Sequence, residues 1–170
     1  MKAIAIVGSK KSGKTTIIEI LTRELTRRGY KIAAVKHIPE PDFTIDTKGK
    51  DTWRYAQSGA KTIVSVASKE IATIEKIDEN FSLKSILKRC KGNDVVFLEG
   101  FKELVNKNKG ILKIVVVKSK KETLEALRSS KPILAFTGPY STENLKLKIP
   151  YVNTLENPEK IAELVEKTVA

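Results

Sequence analysis

The sequence predicts an α/β fold, a mostly parallel sheet flanked by helices with one antiparallel excursion, and three observations carry that prediction. Short apolar runs bounded by turn residues recur along the chain, at Ile4 to Val7, Ile32 to Val35, Val95 to Leu98 and Leu112 to Val117. Stretches with helical spacing lie between them, and the first run leads into a glycine-bracketed loop that opens a helix. Apolar runs without alternation suit parallel strands covered on both faces. Helical spacing between such runs suits right-handed crossovers. The 170 residues are expected to form a single nucleotide-binding domain spanning 1–170, large enough to bury a continuous core.

The loop has the full G-x-x-x-x-G-K-[ST] spacing of a phosphate-binding P-loop, Gly8-Ser9-Lys10-Lys11-Ser12-Gly13-Lys14-Thr15, followed by Thr16. Gly8 and Gly13 allow backbone angles that turn successive N–H groups toward an anion. The helix that follows aims its unpaired N–H groups and positive dipole end at the same place. Lys14 is expected to reach the β- and γ-phosphates, and the Thr15 hydroxyl to take a place on Mg2+. The alternative is a chance match in a glycine-containing turn. A strand before and a helix after argue against it, so Gly8 to Thr16 form the expected nucleotide-binding set of a P-loop NTPase.

Beyond the loop, Ile17, Ile18, Leu21 and Leu25 share one face of a helix running to about Arg28 and ended by Gly29. Tyr30 to Lys36 reads as a second strand. The Lys36 to Lys50 stretch holds Pro39, Pro41 and Gly49, so it is a loop leaving the carboxyl end of that strand, the edge where open α/β sheets bind ligands. Asp51 to Ser58 reads as a short helix capped at Asp51 or just before it. Thr62 to Ala67 and Ile71 to Lys76 alternate apolar and polar residues about a short link, which predicts the antiparallel excursion. Ser82 is placed to cap a helix carrying Leu83, Ile86, Leu87 and Cys90. Asp94 to Gly100 and Leu112 to Val117 read as buried strands, Glu122 to Ser129 as a helix, and Ile133 to Phe136 as a strand. Val152 is a candidate last strand, and Asn157-Pro158 opens a final helix with Ile161, Leu164 and Val165 inward. The Asn106 to Gly110 run reads as an exposed loop.

Composition narrows the classes. One cysteine, Cys90, permits no internal disulfide, and no Cys/His spacing suggests zinc. A buried position on a helix in a reducing, cytoplasmic protein is the expectation. The first residues already read as strand and loop, leaving no room for a signal peptide. No apolar run approaches the ~20 residues of a membrane span. The net charge of +12 is read as a Lys-rich solvated surface, because no nucleic-acid motif with interleaved aromatics occurs. An acidic ligand or partner stays open. Lys and Glu abundance with a single Gln, Met and Cys also fits a heat-adapted organism.

Two acids are candidates for chemistry on a bound triphosphate. Glu99 ends an apolar strand in the manner of a Walker B residue, facing Mg2+ or its water shell. Asp46 follows strand two, where P-loop proteins place a switch residue that senses the γ-phosphate; a plain loop aspartate is an equal alternative. His37, the lone histidine, is read as a structural residue at a strand end. Lys36 and Arg54 could reach phosphate charge or lie free on the surface.

Five separated stretches then line up in order with a family. Gly8 to Thr16, Val35-Lys36-His37, Asp46 with Gly49-Lys50-Asp51 and Arg54, Gly59-Ala60, and Leu98-Glu99-Gly100-Phe101-Lys102 resemble the MobB proteins, GTP-binding adaptors of molybdopterin guanine dinucleotide biosynthesis. The resemblance runs from the first strand to about Lys102. It implies a homodimer that binds GTP and Mg2+, hydrolyses GTP slowly, and assists the nucleotidyltransferase MobA, which attaches GMP to molybdopterin. It further implies that Lys14, Asp46 and Glu99 serve catalysis and that Thr15, Asp46 and Glu99 lie on the metal side. Three departures stand out. Ile38 and Pro39 occupy places where many members carry further histidines. No Asn/Thr-Lys-x-Asp guanine motif is present, so guanine preference rests on the resemblance. Ser9 stands where the ATPases that dimerise across nucleotide carry a signature lysine. Two other classes fit the loop alone: a small-molecule kinase, weakened by a region after Glu122 with only Arg128 to serve as a lid, and a nucleotide-dependent regulatory switch.

Overall fold

The computed structural model describes residues 1–77 and 81–169. Its contacts divide the chain into two units, Met1–His37 with Ile86–Ala170, and Ile38–Ser85.

The larger unit is built on a five-stranded, all-parallel sheet in the order β2-β5-β1-β6-β7. The strands are β1 (Lys2–Gly8), β2 (Ile32–Lys36), β5 (Val95–Glu99), β6 (Leu112–Val116) and β7 (Ile133–Thr137). β1 is central, and Ile4, Ala5 and Ile6 are fully buried. Strand alternation sends the apolar residues to both faces. On one face, Ile4, Ile6, Val95, Phe97, Ile114 and Val116 form a continuous core with Ile17, Leu21 and Leu25 of α1 (Lys14–Arg27) and Ile161, Ala162 and Val165 of α6 (Pro158–Val169). Arg28 and Glu166 pair across these two helices. On the other face, Ala5, Val7, Val96, Leu98 and Val115 are buried, as are Val105 of α4 (Lys102–Lys107) and Ala126 of α5 (Lys120–Ser129). Pro158 does occupy the first turn of α6, and the Ser119 hydroxyl caps α5 by accepting from the Glu122 amide.

Several expectations are corrected here. Strand two is not covered on both faces. β5 lies between it and β1, so β2 is the edge of the sheet, with Ala34 exposed and Ile32 and Val35 half-buried. The stretch read as an exposed loop starts inside a helix, since Asn106 and Lys107 are the last residues of α4. A helix of six residues is too short to show periodicity, and its lysines and asparagine mimic a loop. α5 starts at Lys120, two residues earlier than read. The last strand reduces to a single parallel bridge between Phe136 and Tyr151, flanked by backbone bonds from Phe136 N to Pro150 O and Val152 N to Phe136 O.

The smaller unit holds α2 (Asp51–Gln57) and the hairpin of β3 (Thr62–Val66) and β4 (Ile71–Glu75), the expected antiparallel excursion. α2 begins after Lys50, the second of the two expected cap positions. One hairpin face buries Ile63 and half-buries Ile74; the other leaves Val64, Val66 and Ile71 exposed. α3 (Leu83–Arg89) spans the boundary between the units, and the Ser82 hydroxyl caps it by accepting from the Ser85 amide. Cys90 follows it, buried, and burial raises its thiol pKa.

One buried residue was not foreseen. Lys113, the second residue of apolar β6, is fully shielded from solvent, and its ammonium donates to Asn108 O at 2.8 Å and Lys131 O at 3.1 Å. Desolvation holds its pKa below the ordinary 10.5. The folded chain therefore releases this proton before the unfolded chain does, and stability rises with pH between the lowered value and about 10.5. Lys113→Met should remove that part of the pH dependence, up to about 1.4 kcal/mol per pH unit, as urea unfolding at a series of alkaline pH values will measure. Gly8 offers a second test. It pairs with Val116, and a Cβ there would stand 2.6 Å from Val116 O and 2.7 Å from Ser12 Oγ. Gly8→Ala should destabilise the fold by about 1–3 kcal/mol in the same unfolding assay.

Candidate functional site

The parallel sheet brings its strand ends to one edge. Gly8 ends β1, Glu99 ends β5, Lys36 ends β2 and Val116 ends β6. The register sets Ile6 beside Glu99, Lys36 beside Glu99, and Gly8 beside Val116. Ligands in open α/β sheets bind at this carboxyl edge.

From Gly8 the chain turns through the loop into α1. Gly13 caps the helix in the left-handed region at φ 95°, a conformation that glycine adopts without penalty, and Lys11 also has φ 57°. No side chain caps this helix, and its first turn holds no acid. The first helical bond runs from Ile17 N to Gly13 O. The amides of the first turn therefore have no acceptor within the helix, the arrangement that draws an anion to a helix N-terminus.

The loop side chains surround that point. Lys14 Nζ donates to Ser9 O at 2.8 Å and Gly8 O at 3.3 Å, which leaves one of its three donors outward. Ser12 is only 6% exposed, and its Oγ has no partner, as is true of the shielded Ser9 Oγ. A buried hydroxyl without a partner costs about 1–3 kcal/mol, which a ligand oxygen would relieve. Phosphate oxygens fit these unpartnered hydroxyls and the open amides of the first turn.

Thr15 Oγ1 lies 3.2 and 3.3 Å from the two Glu99 carboxylate oxygens. A hydroxyl and one carboxylate are the protein donors of a Mg2+ that keeps most of its shell for phosphate and water. Among the described residues, no group of three or more His, Cys, Asp and Glu could hold a metal ion. Lys14, Thr15 and Glu99 are thus assembled in one place. Asp46 belongs to the smaller unit, where its Oδ1 accepts from Thr47 N and Thr52 Oγ1, each at 2.8 Å. Arg54, in the same unit, approaches Asp51 at 3.8 Å, with both side chains mostly exposed.

Three supporting residues were missed by the sequence or left open. Lys36, read as able to reach phosphate or to lie on the surface, is mostly exposed, with its Nζ 3.9 Å from Glu99 Oε1. Lys118, just past β6, donates from Nζ to Lys10 O at 3.2 Å and so steadies the loop. Its signal was a cation ending an apolar strand at the ligand-binding edge. Phe101 adopts φ 54°, buried, with its ring 5.1 Å from that of His37. The His37 amide donates to Glu99 O at 2.9 Å, so the histidine packs beside the Glu99 turn.

The family model for "Molybdopterin guanine dinucleotide synthesis protein B" matches residues 3–138. A Methanocaldococcus jannaschii protein assigned as a molybdopterin-guanine dinucleotide biosynthesis adapter is 39% identical over 123 residues, covering 71% of this chain and 49% of that protein. The molybdopterin-guanine dinucleotide biosynthesis adapter protein of Haemophilus influenzae is 29% identical over 102 residues, covering 59% of this chain and 57% of its own length. The chain thus spans about half the length of these relatives. A crystal structure of molybdopterin-guanine biosynthesis protein B superposes with a TM-score of 0.74 at 26% identity, covering 98% of both chains. Bacillus subtilis MobB superposes at 0.72 and 23% identity, covering 96% of this chain and 98% of that one. Since the family model matches from the first strand through the end of β7, this chain belongs to the MobB family of molybdopterin guanine dinucleotide synthesis proteins.

Proposed function

We propose that this chain is a nucleotide-binding adapter of molybdopterin guanine dinucleotide synthesis that holds GTP with Mg2+ and hydrolyses it slowly. The observation that carries the reading is the meeting of Lys14, Thr15 and Glu99 at the mouth of the loop, across 84 residues of sequence. Family membership supplies the pathway. In this reading the loop amides and Lys14 bind the β- and γ-phosphates, Thr15 and Glu99 hold the metal, and Asp46 serves as a switch acid. Lys14 trades part of its hold on the loop carbonyls for phosphate oxygen. Mg2+ when bound supplies charge neutralisation at the β- and γ-phosphates.

Residues Gly8 to Thr16 form the nucleotide-binding set, with Ser12 Oγ available to a ligand oxygen. Slow turnover is expected because none of the residues placed around the loop is an arginine, and arginine fingers are worth orders of magnitude. The wider setting completes the reading: a cytoplasmic homodimer working beside a MobA-type nucleotidyltransferase and its molybdopterin substrate. No helix among the described residues is long and apolar enough to cross a membrane, which is compatible with that setting.

Isothermal titration with GTP and ATP, each with and without Mg2+, tests the reading. GTP with Mg2+ should bind clearly more tightly than ATP, and Lys14→Ala should abolish detectable binding; equal affinity for both nucleotides would count against a GTP adapter. Glu99→Gln separates metal from phosphate. It should leave metal-free nucleotide affinity near that of the parent while reducing the gain from Mg2+ by about tenfold, since the lost interaction is a charge on a hard cation. An unchanged Mg2+ response would clear Glu99 of the metal role.

A further inference from the structure

A second cleft, of about 400 Å³, is lined by Asn106, Lys107, Lys109, Arg128, Ser129, Lys131 and Pro132. The residues preceding β6 and β7 form its lips, so it lies at the amino end of those strands, away from the edge that carries the phosphate loop. Four cations line it and no acid does. The acids nearest in sequence are Glu103, Glu122 and Glu125, none of which lines it; Glu122 and Glu125 line a neighbouring cleft that reaches Gly8 and Ser9 and shares Ser129 with this one. None of the four cations makes an ion pair among the described residues. Lys107 and Arg128 sit in the last turns of α4 and α5, where a cation answers the helix dipole. That account does not reach Lys109 and Lys131, which lie outside both helices.

The cleft is also held in shape. The buried Lys113 ammonium binds Asn108 O on one lip and Lys131 O on the other. Two strands of backbone that would otherwise move separately share one donor, so the surface cations above them are pre-positioned. Their mutual repulsion is left for something outside the chain to offset.

We propose that this cleft docks an acidic segment of a partner protein. Charge complementarity points to an anion. No aromatic residue lines the cleft, so there is no platform on which a nucleobase would stack, and an acidic peptide is favoured over a single-stranded nucleic acid. The inference is independent of the nucleotide reading, because the cleft shares no residue with the loop.

The test is fluorescence anisotropy of a labelled oligo-glutamate peptide titrated with the full chain, without nucleotide, at low and then raised salt. Lys109→Gln/Lys131→Gln removes two cleft cations and leaves both helix termini intact. Lys160→Gln/Lys167→Gln removes the same charge from exposed positions on α6. The cleft variant should bind about tenfold more weakly, the α6 variant like the parent, and affinity should fall with salt. Equal losses in the two variants would mean that binding follows net charge and would overturn the proposal. So would no binding by the parent chain, or tighter binding of inorganic phosphate or of a single-stranded oligonucleotide of equal charge.

Discussion

The parallel register of β6, β1 and β5 is the constraint on which everything else in the larger unit depends. Pairing Ile6 with Glu99 delivers a carboxylate from a distant strand to the mouth of the loop that β1 launches. Pairing Gly8 with Val116 brings backbone so close that only glycine fits at the loop's first position. Shifting either register by one residue would turn Glu99 or Val116 to the opposite face of the sheet. The loop would keep its own geometry, but it would lose the acid beside Thr15 and the support behind Gly8.

That register is protected by the burial it produces. Ile4, Ile6, Phe97 and Ile114 pack under α1 and α6, while Ala5, Leu98 and Val115 face the other way and are equally dry. A slip would not exchange an apolar face for a solvated one, as in a one-sided sheet. It would misalign side chains with the helices over them and bring Lys113, the one ammonium buried in β6, away from the two carbonyls that satisfy it. The same lysine thus ties sheet register to the shape of the basic cleft at the amino edge. The two ends of the sheet are organised by different chemistry, unpaired amides and a carboxylate at one, unpaired cations at the other.

Around the loop, the side chains that complete the site are held by neighbours rather than left to solvent. Lys14 rests on two loop carbonyls, Lys118 on a third, and Lys36 flanks Glu99. The Glu99 turn is itself braced, with Phe101 in a left-handed conformation against the His37 ring and the His37 amide on Glu99 O. A bulky residue tolerates such a backbone only where packing insists on it. The lone histidine, read from sequence as structural, is part of that packing.

What the chain spelled out by itself was local. Glycine and lysine spacing wrote the loop, apolar runs wrote β1, β5 and β6, Ser82 and Pro158 marked helix starts, and alternation wrote the β3–β4 hairpin, because each follows from neighbours a few residues apart. The placement of Glu99 at a strand end was legible for the same reason. Tertiary structure alone decided which strands became neighbours, and so that apolar β2 is an exposed edge, that Lys36 stands beside the Glu99 carboxylate, and that Lys113 is buried. Strand order is a choice among pairings far apart in sequence, settled by how two helical layers close over the sheet, and no local pattern encodes it.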